Sequence, residues 1–173
     1  EQEDDKGNVT AHLYDGLGRR TQTTYADGTQ ESWTYDKLGN VVGHQDPNGD
    51  GVTYEHDRLN RVGSKTIARG PQTLGTTFET YSFDGLSRIR SAEDDDTDVE
   101  RDWDSLGRLL EERVTIAGGP TQTIEAAYDA AGNVTQLDYP GGRSLGFTHD
   151  VRNRLATIVE DTNTLASYGY LGR

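Results

Sequence analysis

Apolar and aromatic positions in this chain alternate with polar ones in short runs, and a polar, glycine-bearing turn breaks each run. Trp33 and Tyr35, Tyr54 and His56, Tyr81 and Phe83, Phe147 and His149, and Tyr168 and Tyr170 are ring pairs at i and i+2. Residues so spaced lie on one face of a strand. Beyond the following turns stand Val41, Val62, Ile89, Leu109, Val134 and Leu155, apolar or β-branched residues that suit a pleated surface. No stretch between turns carries a helical period of useful length. The pattern predicts an all-β chain of tandem antiparallel β-hairpins forming a continuous curved or spiralling sheet. Its strands should run to roughly six residues, about 20 Å each at ~3.3 Å per residue.

The alternation is punctuated by one recurring motif: an aromatic residue or His, then Asp, any residue, usually Leu, a small residue, and Arg or Asn. Copies begin at Tyr14-Asp15, Tyr35-Asp36, His56-Asp57, Phe83-Asp84, Trp103-Asp104, Tyr128-Asp129 and His149-Asp150. Four of the six intervals are 20 or 21 residues, and the others are 27 and 25. A degenerate eighth copy reads Tyr170-Leu171-Gly172-Arg173. A fixed period marks a repeat array, which works as a surface or wall with no single active site. The reading is one array of about seven to eight repeats over residues 1–173, expected to be a piece of a longer array. Seven residues before the motif aromatic, Gly7, Gly28, Gly49 and Gly142 mark a second turn, with Asn163 in the same place before Tyr170. The second turn reads as the looser one. Residues 68–75 and 114–123 break the period and read as lengthened loops.

The motif's chemistry is that of a turn. Asp at the first position of a type I turn accepts hydrogen bonds from backbone N–H groups just ahead. The fifth motif position then needs a left-handed residue to form the bulge that closes a three-residue hairpin loop. It holds Gly18, Gly39, Asn60, Gly107, Gly132 and Asn153, residues that tolerate positive φ, and Ser87, which fits poorly. The recurring aspartates are therefore read as turn caps and not as catalytic carboxylates. The arginines that end the motif, Arg19, Arg61, Arg88, Arg108 and Arg154, are expected to pair with Asp or Glu of adjacent strands or to stack on rings.

Composition narrows the function. Of 173 residues only 31% are hydrophobic, and nine Tyr, two Trp and three Phe supply much of the apolar area. A thin, aromatic-rich core is expected to bury most of them. The formal charge of −13 argues against nucleic acid, heparin-like polyanions and anionic membrane as partners. No apolar run is long enough to insert in a membrane. The absence of Cys removes disulfides and thiol catalysis. Asp46-Pro47-Asn48-Gly49-Asp50-Gly51 has the oxygen spacing of a calcium loop, with Asp46, Asn48 and Asp50 as ligands. Pro47 and the lack of flanking helices favour a plain turn, so no cofactor and no metal site are expected. His12, His44, His56 and His149 form no pair with zinc spacing. No nucleophile elbow or other positioned constellation points to an enzyme.

The motif and its period resemble the YD-repeat family, also called Rhs repeats, over nearly the whole chain from about Gly7 to Arg173. The resemblance implies a hairpin array spiralling into a long curved sheet. In Rhs and toxin-complex proteins such a sheet forms a shell around a toxin segment, and similar arrays occur in wall-associated proteins and in teneurins. The family's self-cleavage boundary has no counterpart here. Asp46-Pro47-Asn48-Gly49-Asp50 lies mid-array and reads as a turn, so release chemistry and toxin activity are not carried over. The implied function is a structural scaffold, extracellular or at the cell surface, whose partners are neighbouring repeats or copies of itself and an enclosed polypeptide. A carbohydrate-binding or adhesive module and a self-assembling fibre subunit are the alternatives.

Overall fold

The computed structural model describes residues 1–70 and 73–171 and divides into two compact units. The first unit, residues 1–82 and 93–95, holds β1 (Gln2–Glu3), β2 (Val9–Tyr14), β3 (Arg20–Thr24), β4 (Gln30–Tyr35), β5 (Val41–Gln45), β6 (Gly51–His56), β7 (Val62–Ala68) and most of β8 (Phe78–Phe83). The second, residues 83–92 and 96–173, holds most of β9 (Ile89–Asp94), then β10 (Thr97–Trp103), β11 (Leu109–Ile116), β12 (Gln122–Tyr128), β13 (Val134–Tyr139), β14 (Arg143–His149), β15 (Leu155–Glu160) and β16 (Asn163–Ser167). The described residues contain no helix. Strand order in each unit is chain order, and each strand from β1 to β8 and from β10 to β16 pairs antiparallel with the next in its unit. The all-β hairpin architecture read from the alternation is the architecture found.

The motif turns are three-residue loops with a bulge. In the first, the Asp15 N–H donates to the Arg19 carbonyl at 2.9 Å and the Gly18 N–H donates to the Asp15 carbonyl at 3.0 Å. The same pair of bonds recurs at Asp36, Asp57, Asp84, Asp104, Asp129 and Asp150. The fifth residue is left-handed throughout, including Asn60 (φ 60°), Asn153 (φ 58°) and Ser87 (φ 65°). Ser87, the poor fit by residue type, thus follows the common path, held there by the bonds on either side. Pairing register shifts by one immediately before Tyr14, Tyr35, His56, Trp103, Tyr128 and His149, as a bulge requires.

Four expectations change. No hydrophobic side chain is fully buried among the described residues, and Thr23, 2% exposed, is the one buried residue. The rings are half-covered from above by charged side chains, because a single-layer sheet has no second layer to bury them. The second turns of the first unit are not looser than the motif turns. Asp4, Tyr25 and Asp46 close the same three-residue loop, with Gly7, Gly28 and Gly49 left-handed. Residues 114–123 are only half loop: β11 runs to Ile116 and β12 starts at Gln122, leaving a five-residue loop between them. Asn163 begins β16, and the left-handed residue there is Asp161 (φ 53°).

Candidate functional site

Each motif turn is capped by its own aspartate. Asp15 Oδ1 accepts the N–H groups of Leu17 (2.9 Å) and Arg19 (3.0 Å), and Oδ2 accepts Arg19 Nε at 2.7 Å. Asp57, Asp84, Asp104 and Asp150 repeat this with Arg61, Arg88, Arg108 and Arg154. Asp36 and Asp129 do so with the side-chain amides of Asn40 and Asn133. The arginines therefore pair inside their own turn, and not with acids of adjacent strands. All seven carboxyls are held below their ordinary value. At Asp150 the Arg154 guanidinium and then the Arg154 N–H bring it down to about 2, against the opposing pull of desolvation. At Asp36 and Asp129 the amide of Asn40 or Asn133 is the leading cause.

The same arginine reaches the next repeat. Arg19 lies 4.5 Å from the Tyr35 ring centroid and donates from Nη1 to the Asp36 carbonyl at 3.2 Å, while the Tyr35 hydroxyl donates to the Arg20 carbonyl at 2.7 Å. In the second unit Arg88 covers Trp103 (5.3 Å) and bonds the Asp104 carbonyl, and Trp103 Nε1 donates to the Ile89 carbonyl. Arg108 covers Tyr128 (4.6 Å) and bonds the Asp129 carbonyl, with the Tyr128 hydroxyl on the Leu109 carbonyl. Arg154 covers Tyr170 (4.0 Å), whose hydroxyl bonds the Leu155 carbonyl. Every such ring is held from its face by a cation and from its rim by a backbone acceptor. Each cation–ring contact at a site this exposed contributes about 0.5–1 kcal/mol. Tyr14, which has no arginine over it among the described residues, is 60% exposed.

Contacts that the sequence reading did not assemble sit on the aromatic face of the first unit. Glu31 accepts from Tyr25 Oη (2.8 Å) and contacts His44 Nε2 (2.8 Å), His44 stacks on Trp33, and Arg20 covers Trp33 at 4.4 Å. Lys65, Glu79 and Tyr81 form a second such cluster. His44 and Trp33 are direct cross-strand partners, so the strand register could have signalled this contact. The fourth motif position shows a different role. Leu17, Leu38, Leu59, Leu86 and Leu106 are 66–77% exposed.

The calcium reading meets committed donors. Asp46 Oδ1 caps its own loop through Asn48 and Asp50 N–H, and its Oδ2 is bonded by the Asn48 amide. The Asp50 carboxylate accepts the Gly70 N–H and the Thr73 hydroxyl. No group of three or more His, Asp or Glu side chains suited to a metal occurs among the described residues. Shallow hollows flank the strands, one of about 310 Å³ over Ser32, Thr34, Gly43, Gln45, Thr53 and Thr66.

Residues 35–73 and 128–166 match the RHS Repeat family model. Among curated proteins none matches the chain in sequence. Among solved structures, a Tc holotoxin pore of Photorhabdus luminescens is similar over 92% of this chain and 9% of its own, at 18% identity and a TM-score of 0.64. A TcdB2–TccC3–Cdc42 structure is similar over 97% and 11%, at 16% identity and a TM-score of 0.54. A TcdB2–TccC3–TEV structure is similar over 90% and 10%, at 17% identity and a TM-score of 0.55. The chain spans about a tenth of the length of the structures it resembles, and the likeness is one of fold.

Proposed function

We propose that this chain, which carries RHS repeats at residues 35–73 and 128–166, is a structural segment of a β-scaffold: one stretch of a longer array that forms part of a shell around another polypeptide. The observation that carries the reading is where the polar chemistry goes. The described motif arginines, asparagines and aspartates bond within their own turn or to the next repeat, so they brace a wall and do not converge on a substrate. The fold likeness to Tc structures supports it. A glycan platform needs bare ring faces in rows, and here guanidinium groups cover Tyr35, Trp103, Tyr128 and Tyr170. No described helix is long and apolar enough to cross a membrane. We place the protein outside the cell or at its surface, with neighbouring repeats and an enclosed polypeptide as partners and no catalytic role.

Limited proteolysis of the parent polypeptide tests this. A segment outside the array should resist protease in the intact protein and become cleavable when Arg19→Ala and Arg108→Ala loosen the wall. Cleavage of every such segment at the rate of the free peptide overturns the reading.

A further inference from the structure

Along the sequence each motif is succeeded by another, and the successions come in two kinds. Arg19, Arg61, Arg88, Arg108 and Arg154 are followed, one period on, by Tyr35, Phe83, Trp103, Tyr128 and Tyr170. Asn40 and Asn133 are followed by His56 and His149. The left-handed turn residue of the following motif divides the same way. Asn60 and Asn153 come after the two asparagines, and Gly39, Ser87, Gly107 and Gly132 come after Arg19, Arg61, Arg88 and Arg108. No junction mixes the two sets.

The contacts explain the separation. In an arginine junction the guanidinium lies on an electron-rich ring, and the turn residue beside it is small, Gly or Ser. A Cβ on Gly39 would lie 3.9 Å from Arg19 Nη1, and one on Gly107 would lie 3.6 Å from Arg88 Nη1. Both are ordinary contact distances, and a Cβ on Gly132 would meet nothing within 4 Å, so the ring, more than the turn residue, sets the arginine junction. In an asparagine junction the amide is too short to cover a ring. Instead Asn40 Nδ2 donates to Asn60 Oδ1 at 3.0 Å, and Asn133 Nδ2 to Asn153 Oδ1 at 3.2 Å, a bond that glycine at the turn would remove. Imidazole offers a guanidinium a poorer face than Tyr or Trp and has no rim donor placed like the Tyr35 or Tyr128 hydroxyl. His56 even carries a cost, since its Nδ1 is buried with no hydrogen-bond partner among the described residues. A buried polar atom left unpaired in a repeat calls for an explanation.

We propose that the residue closing each motif turn is a register key. Arginine accepts as its successor only a motif with an aromatic ring and a small turn residue, and asparagine only one with His and a turn Asn. The two locks are mutually exclusive, so a hairpin displaced by one period meets the wrong partner at the asparagine junctions, as when Arg19 faces His56 and Asn60. In an array of near-identical hairpins, strand pairing alone specifies register weakly, and the keys supply what pairing lacks. The inference concerns how the repeats stack and stands whether or not the array encloses a polypeptide.

Thermal melts of the full chain followed by circular dichroism test it. Asn40→Arg alone should lower Tm by about 4 °C, and the pair His56→Tyr/Asn60→Gly with Asn40 retained by a similar amount. The triple variant should recover to the parent Tm or above, because the tyrosine of His56→Tyr gains the Val41 carbonyl and the orphaned nitrogen disappears. The reverse conversion, Arg108→Asn with Tyr128→His and Gly132→Asn, should likewise be milder than Arg108→Asn alone. If the partial variants fail to fold, a folded triple variant carries the same conclusion. A purely structural role predicts additive losses. Additive losses, a triple variant that does not fold, or an Asn40→Arg chain as stable as its parent overturns the proposal.

Discussion

The two edges of each unit are made by the same strands, yet their turns obey different rules. On the motif edge, Asp15, Asp36 and Asp57 in the first unit and Asp84, Asp104, Asp129 and Asp150 in the second close one loop with one backbone path. On the opposite edge the path varies. Asp4, Tyr25 and Asp46 use the three-residue loop, whereas Ile116 to Gly119, Tyr139 to Gly142 and the turn at Asp161 each differ. The reason lies in what the side chains touch. Motif-edge residues reach forward to the next repeat. Opposite-edge caps such as Asp4 and Asp27 bond only inside their own loop, with two exceptions: Asp50, which accepts from Gly70 and Thr73, and Asp95, which accepts the N–H and hydroxyl of Thr77. A turn read by its neighbour has a fixed length, and a turn that closes only on itself is free to change.

The largest effect should come from lengthening a turn on each edge. Inserting Gly-Ser after Gly39 displaces the Asp36 cap from Asn40 and that amide from Asn60, and should cost about 2 kcal/mol or more. The same insertion after Gly118 only lengthens a loop and should cost about 0.6 kcal/mol. Equal denaturant midpoints would abolish the distinction between the edges. Next in size is the bulge itself. Gly18→Val forces a β-branched residue to positive φ and should cost ~1–3 kcal/mol, whereas Gly18→Asn, matching Asn60 and Asn153, should be mild. Equal melts would sink the bulge account.

Acid should unfold the motif edge through its caps. Each motif carboxyl has a folded-state pKa below its unfolded value. The folded chain therefore binds fewer protons, and the stabilisation is whole above the unfolded value of ~3.9. It is lost as pH falls through the folded values, which reach about 2 at Asp150. Melts from pH 5 downward should show a steep fall in Tm, shallower in an Asp150→Asn chain. A Tm that holds constant to pH 2 would contradict the capping role. The smallest effect concerns calcium on the opposite edge. With the Asp46 and Asp50 oxygens already bonded, calorimetry should find no site tighter than ~10 μM, and a sensor-like affinity would reverse that reading.

How much was legible depends on the distance over which each contact acts. The turn was fully legible, because Asp36, Gly39 and Asn40 interact within five consecutive residues and their types dictate the path. That the arginines would lie on rings could be named as a class. Which ring each covers could not, since Arg19 and Tyr35 become neighbours only after β3 pairs with β4. The Glu31, His44 and Trp33 cluster and the absence of a buried core were not legible. Both depend on how many layers cover the sheet, and alternation along a strand does not encode that.

Sequence by itself determined the hairpins, their bulges and the order in which they follow one another, because type I turn chemistry and a period of two are local properties. It determined the two classes of junction as well, although their meaning lay hidden in residues 15 to 22 positions apart. Only the tertiary structure decided that aspartate, arginine and ring are joined from turn to turn within each unit, and that Tyr35, Trp103, Tyr128 and Tyr170 are covered by cations and not buried by a second layer. Those outcomes rest on distances between strands, which are set when antiparallel pairing brings separate repeats to within hydrogen-bond reach.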